Sequence, residues 1–123
     1  MQLLAIAAGG AIGALLRYFA STGVYTLLGR DFPYGTLVVN VVGSLLMGFL
    51  YVILLERVSG DVAWRAFLLI GLLGSFTTFS TFSMETIELM ENGELNMALV
   101  NVLASVVISI GAAWMGVIVG RQI

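Results

Sequence analysis

Cysteine, histidine and lysine are all missing from this 123-residue chain, proline occurs once, and charged residues make up only 10%. Without cysteine there is no disulfide framework and no thiolate chemistry. Without histidine the commonest general base and metal ligand is gone. A net charge of −2, with no basic run, leaves no electrostatic footprint for nucleic acid. A soluble domain carries roughly 25% charged residues. That deficit, set against 60% apolar residues, points to an integral membrane protein. No repeat, low-complexity tract or linker divides the chain. One small domain, or one subunit of an oligomer, is the natural unit.

A spanning helix needs roughly 20 mostly apolar residues. Four segments qualify, at about 3–28, 36–55, 64–90 and 95–119. Between them lie Gly29 to Gly35, Glu56 to Asp61, and Glu91 to Glu94, each holding turn formers and charges. Met1-Gln2 offers no positive charge of the kind a secretory signal has, so the first segment is expected to be retained. These loops are too short for a catalytic domain, and no enzyme activity is expected. Four spans put both termini on one side, with Arg57, Arg65 and Arg121. Arg30 lies opposite, and Arg17 counts there or inside the first span. Such a weak bias in positive charge allows insertion both ways up.

The spans carry polar residues in rows. On the second, Thr36, Asn40 and Ser44 are four apart, a stripe about 12 Å long at 1.5 Å per residue. Asn40 stands among valines, where an unpaired amide would cost several kcal/mol in lipid. The fourth span repeats the pattern with Asn101, Ser105 and Ser109. Beside that row, Ala112, Gly116 and Gly120 suit close helix packing, as Gly9 and Gly13 do on the first span. Each polar row has two readings, as hydrogen-bonded glue between helices or as a lined path. Arg17 lies well inside the first span, where a charge costs at least ~2.5 kcal/mol. It must snorkel, pair with an acid, or draw an anion into a wet vestibule.

The densest feature is Gly74 to Ser83, GSFTTFSTFS, behind the apolar run Ala66 to Leu73. It holds six hydroxyls, on Ser75, Thr77, Thr78, Ser80, Thr81 and Ser83, with Phe76, Phe79 and Phe82 recurring every third residue. Glycine and so many hydroxyls weaken a helix, because Ser and Thr can bond nearby backbone instead. The stretch reads as a membrane helix open to interruption, or as a regular helix whose hydroxyls bond back to its own carbonyls. Glu85, Glu88, Glu91 and Glu94 follow. With no nucleophile or metal ligand beside them, a paired-carboxylate catalytic site is disfavoured.

Three polar tracks without an acid among them suit an anion better than a cation. Hydroxyls, amides and the positive edges of aromatic rings can replace an anion's water. Weak neutral donors in series let it enter and leave. The rings of Phe79 and Phe82 are suited to that contact.

GTLVVNVVGS (Gly35 to Ser44), GSFTTFSTFSMET (Gly74 to Thr86) and GALLRY (Gly13 to Tyr18) together resemble the bacterial fluoride channel family, of the CrcB or Fluc type. The resemblance extends over the whole chain. It implies an all-α membrane protein with four transmembrane helices per subunit, the third broken, in an antiparallel dual-topology homodimer of the cell inner membrane. It implies that a break near Gly74 to Thr78 turns the backbone carbonyls of Gly74 and Thr77 toward a structural Na+ at the dimer interface. It also implies two pores lined by Phe79, Phe82, Asn40, Ser105 and Ser109, with Thr81 and Ser80 nearby and Arg17 at a vestibule. The implied activity is passive fluoride export. Two departures stand out: Gly74-Ser75 replaces a common Gly-Gly, and Asn101 takes a place held by an aromatic in some members. The alternatives are a small dual-topology multidrug transporter, which would need a buried acid in the first span, and an accessory subunit that only packs. The first span contains no acid.

Overall fold

A computed structural model describes residues 1–57 and 61–123. Val58, Ser59 and Gly60, assigned above to the second loop, lie outside the described residues. Four helices are long and apolar enough to cross a membrane: Gln2–Leu28, Tyr34–Glu56, Val62–Glu91 and Leu95–Gln122. They agree with the expected spans to within a few residues, because runs of apolar residues set helix length in lipid.

The first span is one helix, α1 (Gln2–Leu28). The second is α2 (Tyr34–Tyr51), which loosens into a π-helical stretch at Val52–Arg57. The third starts as α3 (Val62–Arg65), where Asp61 Oδ1 accepts from the Ala63 N–H at 3.0 Å and caps the first turn. It runs on as a π-helix through Ala66–Leu73 and as α4 (Gly74–Phe76), and resumes as α5 (Ser80–Glu91). The fourth is α6 (Leu95–Gln122). Gly93, with φ of 78°, makes the turn between the last two as glycine readily can.

Glycine decides which helices meet. A Cβ on Gly48 would fall on the Ala113 carbonyl oxygen, and one on Gly116 would fall on the Leu45 carbonyl oxygen. The second and fourth spans therefore cross backbone to backbone, the main contact of the fold. Gly9 and Gly13 likewise seat the first span on Phe67 and Leu72 of the third. Both small-residue rows read from the sequence are thus packing surfaces. Arg121 and Glu56 close one end of the contact between the second and fourth spans with an exposed ion pair at 3.2 Å.

The core is thin. Val39, Val52, Ala66 and Leu73 are fully buried, while Phe19, Leu103, Ile110 and Trp114 stand outward. In lipid such an outer surface is expected, since backbone polar groups are satisfied within each helix.

Candidate functional site

The third span breaks at Thr77–Phe79. Gly74 is still helical, with φ −61° and ψ −34°, whereas Thr77 is extended, with φ −83° and ψ 157°. The break therefore begins three residues after Gly74, later than the sequence suggests.

Its cause is a side chain from the second span. Asn40 Oδ1 accepts from the Thr78 N–H at 2.7 Å, and Asn40 Nδ2 donates to the Thr78 carbonyl at 2.9 Å. In an unbroken helix the Thr78 N–H would go to the Gly74 carbonyl. Thr78 Oγ1 then accepts from the Thr81 N–H at 3.3 Å and caps α5, taking the donor that the Thr77 carbonyl would otherwise have. Arg17 Nε donates to the Ser75 carbonyl at 3.1 Å, at the C-terminal end of the first half-helix, where a cation is favoured. The Thr77 hydroxyl bonds back to the Leu73 carbonyl at 3.2 Å and the Ser83 hydroxyl to the Phe79 carbonyl at 3.0 Å. The two readings of the hydroxyls are therefore both realised, at different residues.

Beside the break lies a groove of about 370 Å³. Asn40 and Ser44 line it from the second span, Phe79 and Phe82 from the third, and Ser105 and Ser109 from the fourth. Its other lining residues are Gly43, Met47, Thr77, Thr78, Val106, Ile110 and Ala113, so among the described residues no ionisable side chain lines it. The Phe79 and Phe82 ring centroids are 5.4 Å apart and tilted by 48°. Phe82 is buried, but Phe79 is 74% exposed within the single chain. Ser109 Oγ is buried and has no protein partner.

Five of the expected site residues thus converge: Asn40, Phe79, Phe82, Ser105 and Ser109. Ser80 and Thr81 lie in the first turn of α5 and are not among the lining residues. Arg17 meets the backbone of the break rather than the groove. Phe76, first in the phenylalanine series, packs by Gly43. Asn101 turns away from the row it seemed to extend. It is buried, donates to Thr86 Oγ1 at 2.9 Å and accepts from Ser105 Oγ at 3.4 Å. It is glue between the third and fourth spans, the bland reading of that row. Gly43 and Thr78 were not singled out as site residues. The near contact of a Gly43 Cβ with Thr77 could be found only in three dimensions.

A family model described as CrcB-like protein, Camphor Resistance (CrcB), matches residues 4–117. The chain belongs to the CrcB-like family. A relative from Methylococcus capsulatus is 52% identical over 123 residues, and this chain spans only 54% of its length. Relatives from Coxiella burnetii and Magnetococcus marinus are 51% and 50% identical, and each is covered from end to end along with this chain. All three are named fluoride-specific ion channel FluC, the name of a channel and not of an enzyme. The CrcB-like chain is accordingly a multi-pass membrane protein, with four helices among the described residues long and apolar enough to span.

Proposed function

We propose that this chain is one subunit of an antiparallel, dual-topology homodimer of the cell inner membrane that conducts fluoride passively outward. The convergence of Asn40, Phe79, Phe82, Ser105 and Ser109 on one uncharged groove carries the reading. The names of its relatives supply the ion. Fluoride enters cells as neutral HF and is trapped inside as the anion, so a passive path suffices for export.

In this reading fluoride gives up water stepwise. The Ser109 hydroxyl has a proton to donate and no protein acceptor for it. Asn40 uses one N–H on Thr78 and keeps a second for the ion. The phenylalanine edges provide weak positive contacts, so nothing holds fluoride tightly enough to stop it. The partner subunit covers the exposed Phe79 and completes a second, equivalent pore, as a two-fold dimer requires. The Gly74 and Thr77 carbonyls, deprived of their helical donors, fit as ligands of a structural Na+, since a hard cation takes oxygen ligands. When bound, that ion would supply a fixed positive charge between the subunits.

Phe79→Ile tests the pore assignment, because Phe79 is mostly exposed in the single chain and contributes little to its core. Liposomes holding the variant should lose fluoride far more slowly than those holding the wild-type protein, with the dimer intact on size exclusion. Unchanged efflux would remove Phe79 from the pathway.

A further inference from the structure

A second cavity, of about 420 Å³, opens at one end of the bundle beside Tyr25, Glu85 and Glu88. Thr36, one helical turn from Asn40 on α2, touches Tyr25, so it stands between the groove and this mouth. At the mouth, the Tyr25 hydroxyl donates to Glu85 Oε2 at 2.8 Å. A 3.5 Å contact joins the same hydroxyl to Thr36 Oγ1. Because Tyr25 gives its one proton to Glu85, Thr36 is the donor in that contact. The other carboxyl oxygen, Oε1, is buried without a hydrogen-bond partner.

The Tyr25 ring is held on both sides. A Cβ on Gly35 would collide with it, so only glycine lets α2 approach so closely. The Arg30 guanidinium carbon lies 4.6 Å from the ring centroid on its face. Packing of this kind fixes the position of the hydroxyl.

We infer that Tyr25 is a positioning residue for fluoride passage: its hydroxyl, backed by Thr36, holds the Glu85 carboxyl group away from the ion path at the mouth of the groove. This rests on the fluoride channel reading. A carboxylate loose in the path of an anion repels it and competes for the same donors. Arg30, Asp31, Glu88 and Glu94 are the charged groups that share the cavity with Glu85. Arg30 is the lone cation among them and is engaged on the Tyr25 ring. Without the Tyr25 hydroxyl, Thr36 remains as the nearby neutral donor that Glu85 and fluoride would both seek.

The test is fluoride efflux from liposomes with wild-type protein, Tyr25→Phe, Glu85→Gln and the double variant. Tyr25→Phe keeps the packed ring and should lower flux about tenfold, the worth of one hydrogen bond to a charged group. In the Glu85→Gln background the same change should have no further effect, which a merely structural role for the ring would not produce. Equal flux in wild type and Tyr25→Phe, or a double variant slower than Glu85→Gln alone, would overturn the inference. If Tyr25→Phe does not fold, Glu85→Gln alone decides: flux at or above wild type supports the inference, and flux below it overturns it. A wild-type protein that passes no fluoride would overturn the channel reading itself, and this inference with it.

Discussion

Replacing Asn40 with leucine should stop conduction while leaving most of the fold in place. Leucine has the branched outline of asparagine, is somewhat bulkier and has none of its polar atoms, so the change removes the two bonds to Thr78 at 2.7 and 2.9 Å. Leaving both backbone groups unpaired would cost about 1–3 kcal/mol each. The chain has a way to recover part of that. The freed Thr78 N–H can return to the Gly74 carbonyl if Thr77 gives up its ψ of 157° for a helical value. One bond regained leaves one group unpaired and a net loss of about 1–3 kcal/mol. Conduction has no such recovery. Closing the break swings Phe79 away from the groove and returns the Gly74 carbonyl to the helix. The assay pairs equilibrium unfolding in mixed micelles with fluoride efflux from liposomes. A drop in efflux of more than tenfold beside a small stability loss is expected, since only 1.4 kcal/mol in a barrier is needed for that factor. Wild-type efflux from Asn40→Leu would refute the claim that this amide makes the break and lines the path.

Other expected outcomes follow from the same contacts. Gly48→Val puts methyl groups on the Ala113 backbone and should cost about 1–3 kcal/mol or more, seen as a loss of monodisperse protein in detergent. Gly111→Ala, with nothing within 4 Å of the new carbon, should be neutral or up to about 1 kcal/mol stabilising in unfolding experiments. Arg17→Gln removes the 3.1 Å bond to the Ser75 carbonyl and should lower both unfolding midpoint and efflux. Arg17→Lys should restore little, lacking the planar guanidinium, and full recovery by lysine would show that charge alone matters. Phe79→Ile should cut efflux about three- to tenfold if each ring edge is worth about 0.5–1.5 kcal/mol to the ion.

The spans were legible because lipid demands long apolar helices, and composition alone locates them. The rows containing Asn40, Ser105 and Ser109 were legible because a helix places residues four apart on one face. The position of the break was not. It depends on Asn40, 38 residues away, choosing the Thr78 backbone, and no local propensity encodes that choice. Asn101 shares its row's spacing but turns to Thr86, because a long amide can reach sideways where a serine hydroxyl cannot. Tyr25 and Glu85 are 60 residues apart, and nothing periodic connects them. Glu85 was weighed in the sequence only as half of a disfavoured carboxylate pair, and the burial of one of its oxygens has no signal there. The charge of Arg17 left snorkelling, pairing and a vestibule open; the Ser75 carbonyl it meets lies 58 residues away and has no sequence signal.

The central claim is that an uncharged groove beside a broken helix passes fluoride and little else. Its most direct test is efflux from liposomes holding the purified protein, followed with fluoride and chloride electrodes in parallel. Rapid loss of fluoride with negligible loss of chloride is the predicted result. No fluoride loss from a folded dimer, or equal loss of both anions, would contradict it.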